Sequence, residues 1–257
     1  MIAVRSPEEI ALLRESGRIV AEALDLAGKM VRPGVTTEKL DREIETMIRD
    51  SGGTPEFKGF HGYPASICAS VNEVVVHGIP GPRELREGDI IGVDVGVRKA
   101  GYVGDGARTF AVGEIRDEAR RLMDTTLRAL MNGLAAVSEG VHLSDLSSAV
   151  QTTAESNGYS VVRELAGHGV GQEMHEAPEV PNYGLPGRGP VLKAGTVLAV
   201  EPMINAGAAA VRTLADGWTV VTADGSLSAH FEHSVAVTGN GVDILTLSSA
   251  TPGELQF

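Results

Sequence analysis

A single cysteine, Cys68, stands among 257 residues, so no disulfide can form within the chain and a reducing compartment suits it. No uninterrupted apolar run reaches the ~18 residues that a membrane-spanning helix needs, and no membrane association is expected. Basic residues are outnumbered: 22 Lys and Arg face 34 Asp and Glu, a formal net charge of −12. That balance argues against the basic surface nucleic-acid binding requires, so no direct sequence-specific nucleic-acid contact is expected. The opening residues, M-I-A-V-R-S-P-E-E, lack a basic segment followed by an apolar core. No secretory signal is read there, and the cytoplasm is the expected location. No linker rich in Ser, Pro or charge divides the chain, which reads as one domain over residues 1–257.

What the chain does have is a set of acidic and imidazole side chains inside apolar, glycine-rich runs. His77 lies in V-V-H-G-I-P, Asp94 in G-V-D-V-G, Asp105 in G-D-G-A-R-T and His168 in G-H-G-V-G. His175 in M-H-E-A-P, Glu201 in V-E-P-M and Glu232 in F-E-H-S-V-A-V follow. Carboxylates within runs such as 90–97 and 197–203 belong in an interior, where an unpaired charge is costly. Too few basic residues neighbour those runs to pair all four. Any one of these residues alone would more often cap a turn or serve packing. Taken together they point to a metal site, and two divalent cations would neutralise four ligand carboxylates.

The chain also resembles itself. V31-R-P-G-V-T-T-E-K-L lies over V137-S-E-G-V-H-L-S-D-L without gaps, and L85-R-E-G-D-I-I-G-V-D over L192-K-A-G-T-V-L-A-V-E. The second match superimposes Asp94 on Glu201, and His77-G-I-P with His175-E-A-P looks like a further pair. Two halves with a shared helix–turn–helix–strand plan and a pseudo-twofold relation are expected. Residues 54–65 have no counterpart in the second half, and residues 182–190 none in the first. Insertions beside a shared site are where specificity is usually placed.

Ser6, Pro7 and Glu9 predict a capped helix start, with an apolar face running to about Met30. A second helix is expected at about 37–50, with others at about 116–137 and 143–157. Strands are expected at 66–71, 89–98, 101–112, 196–205, 209–213, 218–222 and 228–238. These elements suggest helices packed on a strongly curved antiparallel sheet. The tight K99-A-G turn puts Asp94 and Asp105 nearly opposite each other in a hairpin, aimed at one spot. Glu201 and Glu232 add oxygen donors and His168 an imidazole. Such a set can hold two ions about 3.5–4 Å apart if carboxylates bridge. Oxygen donors with a single nitrogen favour manganese, iron(II) or cobalt, with zinc left open.

The ordered series H-G-I-P, D-V-G, G-D-x-x-x-T-F, G-H-G-V-G, M-H-E-x-P, E-P-M and E-H-S-V-A-V-T resembles that of the type I methionine aminopeptidases. The resemblance covers the chain from the first helix to about Leu247, and D-G-W-T-V-V-T at 216–222 shares it. It implies an α+β pita-bread fold with pseudo-twofold halves, about 7–112 and 113–240. It implies metal-dependent removal of the initiator methionine from nascent proteins and peptides with a small second residue. Asp94 would chelate one of two divalent ions (cobalt, manganese, iron(II) or zinc), His168 and Glu201 would bind the other, and Asp105 and Glu232 would bridge them. A water or hydroxide shared by the ions would attack the scissile carbonyl, with Glu201 as proton acceptor. His175 would hydrogen-bond that carbonyl or its developing oxyanion, and His77 the substrate nitrogen. The substrate's free α-amine would complete one ion's shell.

The matching positions for a methionine side-chain pocket are Phe57, Phe60, Tyr63, Cys68, Met174 and Trp218, with His61 nearby. The chain departs from the family's commoner residues at Phe57 (cysteine), Phe60 (tyrosine), Met174 (an aromatic), Gly106 (a small polar residue or alanine) and His230 (glutamine). These departures bear on pocket shape and substrate preference and leave the ligands untouched. His230, two residues from Glu232 on an expected strand, should face the same side and influence how activity depends on pH, unless it is a histidine at the surface rim. Prolidases and proline-specific aminopeptidases share fold and ligands but usually carry a sizeable extra N-terminal domain. Type II methionine enzymes have a long insertion between the last two glutamates. A pita-bread aminopeptidase of other specificity and a non-enzymatic pita-bread binding protein are the alternatives. A monomer with a transient ribosome contact is the expectation for partners beyond the nascent N-terminus.

Overall fold

The computed structural model describes residues 2–247. Helix α1 (Pro7–Met30) starts where the sequence places it: the Ser6 hydroxyl accepts from the Glu9 N–H at 3.3 Å and the Glu9 carboxylate accepts from the Ser6 N–H at 2.8 Å. Each satisfies a donor that the first helical turn leaves unpaired. Helix α2 (Thr37–Asp50) is capped by Thr36, and α3 (Asp117–Ala135) and α4 (Leu143–Ser156) repeat the arrangement farther along. The core divides accordingly. Ile19, Leu40 and Ile44 pack with Ile91, Val93 and Val95, while Leu122, Leu130 and Leu146 pack with Val200 and Val235.

The likeness between the halves extends to individual backbone hydrogen bonds. Gly34 N–H donates to Leu85 O at 2.8 Å and Gly140 N–H to Leu192 O at 2.9 Å. Leu85 N–H donates to Val35 O and Leu192 N–H to Val141 O, both at 2.8 Å. Isolated antiparallel bridges Thr36–Glu84 and His142–Val191 occupy matching positions.

Strand pairs among the described residues are antiparallel and fall into four hydrogen-bonded sets. The longest ladder joins Ile90–Lys99 to Tyr102–Ala111, from Ile90 opposite Ala111 to Lys99 opposite Tyr102. Ala100 (φ 49°) and Gly101 (φ 83°) turn the corner in the left-handed region, as a two-residue hairpin whose twist matches its strands requires.

Several strands are shorter than the sequence suggests, for identifiable reasons. Ser66 and Ile67 give their N–H groups to Asp41 Oδ1, at 2.8 and 3.0 Å, so the strand is Cys68–Val71. Asp216 takes the N–H groups of Trp218 and Thr219, both at 2.9 Å, so the next one is Val220–Thr222. The single strands expected at 196–205 and 228–238 are each broken. Val197–Val200 and Met203–Asn205 flank Glu201 and Pro202, and Ser228–His230 and His233–Thr238 flank Phe231 and Glu232. Proline has no N–H for a ladder, and the chain changes sheet at each break. The breaks fall on the two proposed glutamate ligands.

Candidate metal centre

Asp94 lies opposite Ala107 and Asp105 opposite Gly96, so the two carboxylates share one face of the hairpin, two positions apart along it. Gly96 has a further role. A Cβ there would come within 2.6 Å of the Phe57 ring, so the bare backbone lets that ring lie against the strand beside the two carboxylates.

The second half is fastened to this hairpin along 230–234. Glu232 N–H donates to Ala107 O at 2.8 Å. On one side of it, the Ser234 hydroxyl accepts from Asp105 N–H at 3.0 Å and donates to Asp105 O at 2.7 Å. On the other side, the Thr109 hydroxyl accepts from His230 N–H at 3.0 Å and donates to His230 O at 2.8 Å. A hydroxyl serves as donor and acceptor at once, so each replaces a pair of ladder bonds. Neither hydroxyl is predicted from sequence, although Thr109 stands in G-D-x-x-x-T-F and Ser234 in E-H-S-V.

His168 lies on the Gly167–Gly169 strand, with Nδ1 3.0 Å from Gly169 O. Donating there leaves Nε2 as the atom with a free lone pair. Nε2 is 3.6 Å from Asp105 Oδ2 and 3.5 Å from Glu201 Oε1. The Glu201 carbonyl accepts from Asn182 Nδ2 at 3.0 Å, a positioning contact the sequence did not suggest. Asp105, His168 and Glu232 each offer a ligand atom, all within 4.8 Å of one another.

The electrostatics of this cluster are those of a cation site. Burial raises Asp94 to about 7. Asp105, Glu201 and Glu232 are pushed up by burial first and then by the carboxylates around them. Burial, then His175, lowers His168 to about 4, so it is a neutral imidazole. Asp94 Oδ1, Asp105 Oδ1 and Glu232 Oε1 are buried without hydrogen-bond partners. Orphaned oxygens in a buried carboxylate cluster are costly alone and suited to holding cations. Oxygen donors with one imidazole fit hard divalent ions.

A cavity above the cluster is lined by Asp94, Asp105, His168, Glu201 and Glu232, and by His77, His175, Phe57, Phe60, Tyr63, Cys68, Met174 and Trp218. Of the candidate ligand, catalytic and pocket residues, His61 alone is outside that lining, and the departures Gly106 and His230 are outside it too; the exposed His61 ring meets Phe60 edge-on, centroids 4.4 Å apart. Tyr63 and Trp218 meet edge-to-face at 5.1 Å, as do His168 and His175 at 4.3 Å. Cys68 is kept a thiol by burial first and Asp94 second, which suits packing rather than chemistry. His77 has φ 59°, a left-handed backbone that non-glycine residues adopt at a cost and that clusters at functional sites. A second opening, lined by His77, His168, His175, Glu179 and Glu201 among others, leads out from the same centre.

His230 is not a rim residue. It is 3% exposed, and because its strand ends before Glu232 no strand alternation relates the two side chains. The ring nonetheless faces the site, Nε2 lying 3.7 Å from Glu201 Oε2. Burial first, and His77 second, lower it to about 3. The 182–190 segment also differs from expectation: beyond Asn182 it leans on α4 instead of the cavity, with Gly187 N–H on Asp145 Oδ1 and Arg188 N–H on Ser144 Oγ, both at 2.7 Å.

Known proteins resemble the chain over most of its length. Metallopeptidase family M24 matches residues 11–239. A methionine aminopeptidase from Clostridium perfringens is 52% identical over 247 residues, covering 96% of this chain and 99% of its own length. The crystal structure of methionine aminopeptidase from Rickettsia prowazekii superimposes with a TM-score of 0.95 at 42% identity, covering 96% of this chain and 100% of the other. A prolidase from Pyrococcus furiosus, at 23% identity and TM-score 0.78, covers 95% of this chain but 65% of its own; that likeness shows the fold alone.

Proposed function

Because the chain belongs to metallopeptidase family M24, and within it to the methionine aminopeptidases, we propose that it removes the N-terminal methionine from nascent proteins and peptides whose second residue is small. The observation that carries this reading is the meeting of Asp94, Asp105, His168, Glu201 and Glu232, with three orphaned carboxylate oxygens, at the floor of an aromatic-walled pocket. We assign Asp94, Asp105, His168, Glu201 and Glu232 to two divalent ions, of the cobalt, manganese, iron(II) or zinc kind. When bound, such ions supply Lewis acidity, polarising a carbonyl and lowering the pKa of water.

The rest is the work of the chain's own groups. Phe57, Phe60, Tyr63, Cys68, Met174 and Trp218 receive the methionine side chain. A neutral His175, its pKa lowered by burial and then by His61, donates an N–H to the scissile carbonyl as negative charge develops there. His77, also lowered by burial first, contacts the substrate nitrogen. Glu201, held from behind by Asn182, accepts the proton of the attacking water at a carboxylate oxygen. The second residue and those after it leave through the opening beside Glu179. Recognition of the substrate's free α-amine, which the resemblance assigns to one of the bound ions, would restrict cleavage to a chain's first residue.

Among the described residues no helix is long and apolar enough to cross a membrane. We assign the protein to the cytoplasm, as a single-domain monomer making transient contact with the ribosome. The test is release of methionine from Met-X-Ser peptides. Release should require divalent metal and occur for X of Gly, Ala, Ser, Thr, Pro, Val or Cys. Efficient cleavage before Lys or Leu would overturn the specificity, and metal-independent or absent cleavage would overturn the enzyme.

A further inference from the structure

We propose that Arg98 is a positioning residue that ties the two walls of the methionine pocket together and thereby sets its width. The inference rests on reading that pocket as the methionine site. One wall is the 56–63 segment with Phe57, Phe60 and Tyr63; the other is the 171–175 turn with Met174 and His175. Arg98 stands on the hairpin strand beneath them, four residues beyond Asp94. Its Nε donates to Glu56 Oε2 at 2.8 Å and its Nη2 to Glu56 Oε1, a two-pronged grip on the residue next to Phe57. Its remaining Nη1 donates to the Gln172 carbonyl at 2.6 Å, two residues before Met174.

One rigid, planar guanidinium thus serves both walls, a geometry a lysine ammonium cannot reproduce. The contact is more than a loose surface pair, since the Glu56 side chain is 10% exposed and that of Arg98 33%. The far end of the 171–176 turn is held independently, by the Arg5 guanidinium on the Glu176 carboxylate. Backbone bonds anchor each wall below: Glu56 N–H to Gly96 O at 2.9 Å and Val103 N–H to Gly171 O at 2.8 Å. Losing Arg98 therefore leaves both walls attached and the fold intact, but frees the gap between Phe57 and Met174 to widen.

Trp218, the only tryptophan of the chain, lines this pocket. Its fluorescence reports binding of free L-methionine or L-leucine without any turnover. In manganese-loaded protein, R98M is expected to weaken L-methionine binding and raise the KM for Met-Ala-Ser about tenfold, with kcat changed no more than about threefold. The preference for L-methionine over L-leucine narrows at the same time. R98K is expected to recover only part of the loss, because an ammonium engages one wall at a time. Manganese affinity by calorimetry is expected to stay at the wild-type level. If R98M does not fold, E56Q carries the test, with a smaller change in the same direction. Unchanged L-methionine affinity and KM in the folded variant would sink the proposal, as would an equal fall in kcat and manganese affinity. If the wild-type protein itself neither binds L-methionine nor cleaves Met-Ala-Ser, the reading of the pocket falls and this proposal with it.

Discussion

The two halves fold alike but deliver their candidate ligands differently. In the first, Asp94 and Asp105 project from one unbroken hairpin of ten-residue strands. In the second, every candidate ligand sits at an irregularity: a register shift at His168, the Glu201–Pro202 break and the Phe231–Glu232 break. A regular ladder fixes side-chain direction by alternation alone. A broken strand must instead be aimed by specific contacts, here Asn182 behind Glu201 and the Thr109 and Ser234 hydroxyls around His230 and Asp105. Rigidity of one half and adjustable aim in the other give a centre in which carboxylates and an imidazole from distant positions can converge.

The largest expected effect comes from taking one ligand from each half. D105N and H168A should each lower kcat/KM for Met-Ala-Ser by more than about a hundredfold, beyond what loss of a supporting residue usually costs a metal site. Without metal the two should part company. D105N removes charge from a crowded carboxylate cluster and should raise the Tm in EDTA at pH 8, whereas H168A should not. A lowered Tm for D105N would contradict the electrostatics argued for the hairpin face.

Next come the hydroxyl clips. T109V and S234A each leave a buried backbone N–H and C=O without partners, a cost of about 1–3 kcal/mol per unsatisfied group, readable from the urea midpoint. If both are neutral, the halves are joined by packing alone.

The pH dependence of metal-free stability separates the halves more gently. Asp94 is raised in the folded state, from 3.8 to about 7, so its contribution is complete at low pH and lost as pH rises through about 7. His168 and His230 are lowered, from 6.5 to about 4 and about 3, so theirs is present above 6.5 and lost as pH falls. Asp105, Glu201 and Glu232 are raised as well, so above about pH 6.5, where the histidines no longer titrate in either state, Tm in EDTA should fall as pH rises. A flat or rising curve from pH 6.5 to 8.5 would refute this. Saturating manganese should flatten the alkaline limb, because the cation replaces the protons.

The smallest effect expected is none. His230 remains neutral from pH 5.5 to 8.5, so H230Q should leave the shape of the kcat/KM profile unaltered. A shifted limb would show that the ring carries charge during turnover.

Much of this was legible in the residues. Asp94 and Asp105 could be placed together from the turn at Lys99 and a count along the strand, and the capped start of α1 from Ser6, Pro7 and Glu9. The family's motif pointed to His168, Glu201 and Glu232, which line the same cavity as the two aspartates. What stayed hidden was how a broken strand is aimed. Alternation brought His230 to the right face by the wrong argument, since it assumed a strand running on through Glu232. Arg98 and Glu56 could not be paired either, being 42 residues apart and each an ordinary surface residue by type. The 182–190 segment was readable as an insertion, but its attachment to α4 depends on Asp145 and Ser144, whose direction no periodicity reveals.

The bond between Asp105 and Ser234 spans 129 residues, and it lies at the heart of the site. Closing so long a loop is slow compared with local structure, so the hairpin and its helices can organise well before the last strands arrive. A partly synthesised copy would present its aspartates with neither Glu201 nor Glu232 opposite them. Each new molecule therefore stays inert until the strands around Glu201 and Glu232 have been made and have docked on the hairpin.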